Sequence, residues 1–177
     1  MQYNVAQLMK AQVGASYEAD IDENDVQLDE DIQVIDPIRG HVRLRRTNQG
    51  LLVDGWVDVT IELSCNRCLD QFEQRFHVPF MEQFYPTVDV ITGIALPPFN
   101  EDDVFPIDDH HHVDLTEAIR QHVLLELPMS VICREDCAGL CPQCGHNLNR
   151  GSCECQPEVD ARFSVLQQLL QNGSSEP

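Results

Sequence analysis

The sequence predicts an α+β fold: an antiparallel β-meander or barrel-like sheet, two or more helices, and a Cys-rich zinc-knuckle segment near the C-terminus. Three observations predict it. Long stretches between residues 38 and 84 alternate apolar and polar side chains with period two. Two later stretches place apolar residues at helical spacing. Between them, six cysteines fall within residues 133–155.

The strands come first. In "LVDGWVDVTIEL" (52–63), Val53, Gly55, Val57, Val59, Ile61 and Leu63 alternate with Asp54, Trp56, Asp58, Thr60 and Glu62. That is one apolar and one solvated face. "TNQG" (47–50) has turn composition, and 38–46 is the expected partner strand, with Ile38, Val42, Leu44 and Arg46 on one side. Phe72, Phe76, Val78, Phe80 and Phe84 share a parity in a third strand, where Pro79 calls for an edge or a bulge. Residues 86–113, rich in Pro, Gly and acids, are expected to form a surface loop.

Helices follow. "DLTEAIRQHVLLELP" (114–128) opens with Asp114 and Glu117, the spacing of a reciprocal capping box, and closes at Pro128. A last amphipathic helix is expected over 159–170, with Val159, Phe163, Leu166, Leu169 and Leu170 inward. The expected organisation is an acidic N-terminal segment, 1–36, and a single domain, 37–177.

Charge restricts the partners. Against 11 Lys and Arg stand 30 Asp and Glu, a formal net charge of −19. Such a chain is repelled by membrane surfaces and by nucleic acid at long range. No apolar run has the roughly 18 residues of a membrane span. The first residues lack a basic start followed by an apolar core, so the cytoplasm is the expected location. Nine acids and no Lys or Arg lie between Lys10 and Arg39. This stretch suits a solvated segment, or an acidic arm that docks on a basic partner or covers a basic patch of the chain itself.

Eight cysteines in a reducing compartment point to metal before disulfide. "CNRC" (65–68) lies between two strand patterns, where a hairpin knuckle belongs. "CPQCG" (141–145) has a Pro that stiffens the turn and a Gly that lets it curl. Four thiolates make a closed tetrahedral zinc site. The expected grouping is Cys65, Cys68, Cys133 and Cys137 in one set, with Cys141, Cys144, Cys153 and Cys155 in the other. Zinc is the expected metal, in one or two structural sites, with iron as the alternative. Closed four-Cys sets leave no position for a reacting water, so no enzymatic activity is expected. Period-two strands around Cys65 are the wrong setting for a thioredoxin-type redox pair.

"VICREDCAGLCPQCGHNLNRGSCEC" followed by "DARFSVLQQLL" closely resembles the C-terminal motif of the YceD family, bacterial proteins with plastid relatives. "CNRCL" (65–69), ahead of "DLTEAIRQHVLLELP", matches the order of that family. The resemblance runs from about residue 38 to 171. It implies a ribosome biogenesis role, in making, processing or stabilising the RNA of the large subunit, and no known reaction. Some members keep a pair like Cys65/Cys68 without the later cluster, which suits a second site that is an optional clip.

Six of the 11 Lys and Arg lie between residues 39 and 75. Arg39, His41, Arg43 and Arg45 share a parity, so a strand there carries a basic stripe. With Arg67 in the knuckle and Trp56 as a stacking platform, they are the candidate RNA contacts. Against this stands a solvated face in which Asp54, Asp58 and Glu62 pair with the stripe. Large-subunit ribosomal RNA or its precursor is the expected partner, with ribosomal or assembly proteins as a further class. The alternative function is a zinc-stabilised adaptor that binds only proteins.

Overall fold

The computed structural model describes residues 1–24, 28, 32–97 and 104–155. Among these residues it is mostly β, a curled mixed sheet with two helices. The strands are β1 (Gln2–Asn4), β2 (Ser16–Glu23), β3 (Gln33–Val34), β4 (Ile38–Arg46), β5 (Leu51–Ser64), β6 (Gln71–Pro86), β7 (Phe105–Ile107) and β8 (His112–Asp114). The helices are α1 (Ala6–Lys10) and α2 (Thr116–Glu126). The order across the sheet is β1-β8-β7-β6-β5-β4-β2, and β3 extends the β4 side of β5.

The β4–β5–β6 meander is present as expected, and its register fixes two faces. Val42, Leu44, Val53, Val57, Val59, Ile61, Phe76, Val78, Phe80 and Phe84 share a buried cluster. Ile119, Val123 and Ala118 of α2 join it. Each aliphatic side chain buried there contributes about 1.5–3 kcal/mol. Gly55 lies opposite Val42 and Phe80, and a Cβ on it would run into the His41 carbonyl oxygen.

The sheet departs from a simple antiparallel meander in three ways. First, β6 and β7 pair in parallel, Phe84 beside Phe105. Second, the stretch expected as a loop, 86–113, contributes β7 and most of β8. These are only three residues long, too short for alternation to be visible. Third, the sheet begins at residue 2, well before residue 37. β1 pairs with β8, β2 pairs with β4 along its full length, and Val5, Leu8, Met9 and Ile21 enter the core.

The capping box also differs. Asp114 accepts a hydrogen bond from the Thr116 N–H, but Glu117 turns outward to Arg120 and Gln121. Leu127 is extended at the helix end, as the following proline requires. The helix expected over 159–170 lies outside the described residues.

Candidate metal centres and the outer face

The first knuckle is the hairpin between the two longest strands, β5 and β6. The Cys65 N–H donates to the Asp70 carbonyl at 3.0 Å, and the Leu69 N–H donates to the Cys65 carbonyl at 2.9 Å. The second knuckle repeats both bonds: Cys141 N–H to the His146 carbonyl at 2.8 Å, and Gly145 N–H to the Cys141 carbonyl at 2.9 Å. The residue after the second cysteine has positive φ in each, 61° at Leu69 and 71° at Gly145.

Two thiol quartets result: Cys65, Cys68, Cys133 and Cys137; and Cys141, Cys144, Cys153 and Cys155. In each, all four Sγ atoms lie within 4.8 Å of one another. Cys65 and Cys137 Sγ are 3.8 Å apart, and Cys68 and Cys133 Sγ are 3.7 Å apart. A tetrahedron with Zn–S of about 2.3 Å has edges of about 3.8 Å, whereas a disulfide needs about 2.05 Å. The sulfur spacing therefore fits a four-thiolate metal centre. Among the described residues these are the only groups of three or more potential ligands so gathered, and neither the His110–His112 run nor His146 joins them.

Three of the first quartet are buried and Cys133 is half-buried. Cys65 is 0 % exposed and Cys68 2 %, packed with Phe72 and Ile132. Burial opposes ionisation of Cys65, but the backbone groups of Cys133, Cys68 and Arg67 outweigh it and bring its thiol down to about 6. At Cys68 the Asp70 backbone favours the thiolate. Burial and the sulfurs of Cys65, Cys133 and Cys137 overrule it, pushing the thiol up to about 12. The second quartet divides the same way. Backbone groups of Cys144 and Gln143 hold Cys141 at about 6, and Cys155 rises to about 12 beside Cys144. Sulfurs this close resist ionising together, and a divalent cation removes that conflict.

Further polar contacts tie the first quartet in place. Arg67 donates to the carbonyls of Cys137, at 3.2 Å, and Glu135, at 3.4 Å. Asn149 donates from Nδ2 to Cys137 Sγ at 3.4 Å, the leading influence that lowers the Cys137 thiol pKa. Asp70 accepts from Asn147 at 2.7 Å and Arg150 at 2.8 Å. Sequence spacing could identify the cysteines but not these asparagines, which have the composition of an ordinary turn.

The basic stripe lies on the outer face of the sheet, between two acidic rows. On one side, β2 places Asp22 opposite Arg39, Asp20 opposite His41 and Glu18 opposite Arg43. On the other, β5 places Asp58, Trp56 and Asp54 opposite the same three. Arg43 meets Asp54 at 2.6 Å and Arg45 meets it at 3.2 Å. His41 meets Asp20 at 3.0 Å, and Arg39 meets Asp22 at 3.7 Å. Asp58 accepts from Arg75 at 2.7 Å and His77 at 2.8 Å. The described part of the acidic stretch thus lies beside a basic row of the chain itself and pairs with Arg39 and His41. Glu62 lies opposite Glu73 and Gln33, away from the stripe.

Trp56 is 39 % exposed, with its ring 5.1 Å from that of His77. It lines a shallow concavity of about 610 Å³ with His41, Arg43, Pro79, Met81 and His122. Met81 and His122 escape a search for charge alone; the outward parity of Met81 on β6 is its only sequence signal. Arg67 is set apart in the hairpin knuckle, its guanidinium committed to carbonyls. No helix among the described residues is long and apolar enough to cross a membrane.

Comparison with known proteins gives these arrangements a lineage. An uncharacterised protein of Mycobacterium tuberculosis is 36% identical over 130 residues, 73% of this chain and 60% of that one. An Arabidopsis thaliana protein named large ribosomal RNA subunit accumulation protein YCED homolog 1, chloroplastic, is 29% identical over 155 residues, covering 75% of this chain and 48% of the relative. An uncharacterised Bacillus subtilis protein is 28% identical over 148 residues, 81% of this chain and 80% of its own. The chain spans about 60% of the length of the Mycobacterium bovis and Mycobacterium tuberculosis relatives it matches. No solved structure matches. The model of the family described as large ribosomal RNA subunit accumulation protein YceD matches residues 53–170, a stretch that contains all eight cysteines, and the chain belongs to that family.

Proposed function

We propose that this protein is a cytoplasmic ribosome biogenesis factor that supports the synthesis, processing or accumulation of large-subunit ribosomal RNA, with structural zinc and no catalytic reaction of its own. The observation that carries the reading is the family match over residues 53–170. Its description, and the names of the plant relatives, supply the ribosomal part. The metal part rests on the two closed thiol quartets. Cys65, Cys68, Cys133 and Cys137 would hold one zinc, and Cys141, Cys144, Cys153 and Cys155 a second. Bound zinc supplies thiolate neutralisation and a cross-link. Four sulfurs per site leave no place for a reacting water, which supports a non-enzymatic role.

The proposed RNA surface is the outer face, with Trp56 as the stacking platform and Arg39, His41, Arg43 and Arg45 around it. Arg67 would extend it at the knuckle. A second reading has a specific observation behind it: Arg39, Arg43 and Arg45 each have an acid in reach. Paired arginines release few counterions from phosphate. The net charge of −19 also suits a basic ribosomal or assembly protein as the direct partner.

In-cell crosslinking with recovery of both RNA and protein separates the two. Trp56→Ala and Arg39→Gln are the variants of choice. Reversing Arg43 or Arg45 would place another acid beside Asp54 and disturb the sheet itself. Large-subunit RNA recovered with the wild type and lost with these variants supports direct contact. Assembly proteins recovered without enriched RNA support the adaptor.

A further inference from the structure

The residues between the last three cysteines do more than link ligands. Asn147 and Asn149 lie between Cys144 and Cys153 of the second quartet, yet they face the first. The Asn149 carboxamide is oriented by three bonds. Its Oδ1 accepts from the Ala138 N–H at 2.9 Å and from Arg134 Nη2 at 2.8 Å. Its Nδ2 is then left to donate to Cys137 Sγ at 3.4 Å. The flipped amide would aim an oxygen at the sulfur and lose both acceptor contacts, so the hydrogen-bond network fixes the orientation.

Asn147 acts beside it. Its Oδ1 accepts from the Asn149 N–H at 3.0 Å, and its Nδ2 donates to Asp70 at 2.7 Å. Arg150 reaches the same carboxylate at 2.8 Å. Asp70 closes the first knuckle through its own carbonyl. The segment thus grips the first centre at both ends, one hand on Cys137 and the other on the residue that shuts the Cys65–Cys68 turn.

The second quartet brackets that segment. It has little regular structure: an isolated bridge between Leu140 and Asn147, and turn bonds such as Leu148 N–H to the Gly139 carbonyl. Cys144 precedes it and Cys153 follows it, and their sulfurs belong to one cluster.

We propose that Asn149 is a positioning residue for the first metal centre and that the second centre is the clasp that keeps it there, so that metal retention at the first site depends on metal at the second. This rests on the metal-binding reading above. An N–H directed at a ligating sulfur draws off electron density and fixes the ligand's rotamer, and groups of this kind alter metal affinity by roughly 10- to 100-fold.

The test uses the full chain loaded with cadmium-113, whose resonance reports on the thiolates around each ion. The wild type is expected to give two resonances. The one missing from a Cys144→Ser/Cys153→Ser variant belongs to the second centre. Asn149→Asp is the informative substitution. It keeps an oxygen for Ala138 and Arg134 but turns a carboxylate oxygen toward the sulfur. The first-centre resonance is expected to shift in both variants, and a strong chelator to strip that ion at least roughly ten-fold faster than in the wild type. A first-centre shift and release rate unchanged by Asn149→Asp would overturn the role of Asn149. Both unchanged when the second centre is removed would overturn the clasp. A wild-type chain that takes up no cadmium would remove the metal reading itself, a result distinct from either.

Discussion

Leu69 and Gly145 occupy the same place in the two knuckles, each directly after the second cysteine, each with positive φ, and each donating its N–H to the first cysteine's carbonyl. Glycine reaches that conformation freely; a leucine there costs about 1–2 kcal/mol. Leu69 recovers little of this by packing, since it is 64 % exposed. Leu69→Gly is therefore expected to raise the unfolding free energy by up to about 1 kcal/mol, once the greater freedom of glycine in the unfolded chain is subtracted. Gly145→Ala should lower it by about 1 kcal/mol. Chemical denaturation of the metal-loaded chain measures both, and a destabilised Leu69→Gly variant would show that the leucine side chain has a holding role of its own.

Asp54 is the hub of the outer face. Burial opposes its charge, but the hydrogen bond and charge of Arg43, followed by those of Arg45, hold its carboxyl below the usual range. A lowered folded pKa gives stability that is present above the unfolded pKa, about 4, and is lost as pH falls through the folded value. Asp54→Asn is expected to cost about 1 kcal/mol at pH 7, given the partial exposure of both arginines. The gap between variant and wild type should close as the pH falls below about 4. Denaturant midpoints of the two proteins, compared at each pH, test it; a gap that persists at pH 2 would assign the loss to packing.

Much of this was legible before any coordinates. Val53, Val57, Val59 and Ile61 announce β5 because a half-buried strand must alternate, and the core face they form is the one expected. Spacing and the expected redox compartment pointed to the eight cysteines as ligands, since C-x2-C turns impose local geometry, but which cysteines meet in space only the fold decides. Other parts depend on long-range pairing that carries no local periodicity. β7 and β8 are three-residue strands that exist because β6 and β1 lie alongside them. Ser16–Glu23 looks too acidic for a strand until β4 supplies Arg39, His41 and Arg43 opposite its carboxylates. Asn149 is invisible for a related reason: its meaning depends on Cys137, which only the fold brings near.

Gly55 offers a test of how tightly β4 and β5 are drawn together. A methyl group there would meet the His41 carbonyl oxygen, with the Val42 Cα at 3.0 Å and the Phe80 ring at 3.1 Å close behind. Backbone cannot yield as a side-chain tip can, so Gly55→Ala should cost about 1–3 kcal/mol. It should also displace Trp56, the next residue along the wall of the concavity. Tryptophan fluorescence is a direct readout, because the chain has one tryptophan; an unchanged spectrum with unchanged stability would mean that the strands part easily.

The two metal centres should differ sharply in what they hold together. The first joins sulfurs 65 and 72 residues apart in sequence, and its cysteines pack against Phe72 and Ile132. The second closes a local segment, and Cys144 is exposed. Cross-linking a long loop removes more freedom from the unfolded chain than closing a short one. Cys68→Ser and Cys144→Ser are both expected to lower bound zinc by one ion in native mass spectrometry. Their stability losses should be unequal: several kcal/mol for Cys68→Ser, where a buried site is lost, and about 1–2 kcal/mol for Cys144→Ser. Chelation of the wild type should follow the same order, with amide exchange rising first over residues 141–155 and only later at Cys65–Asp70. Simultaneous exposure of both regions would mean that the centres open as one unit; exposure of the hairpin first would reverse the ranking that burial assigns.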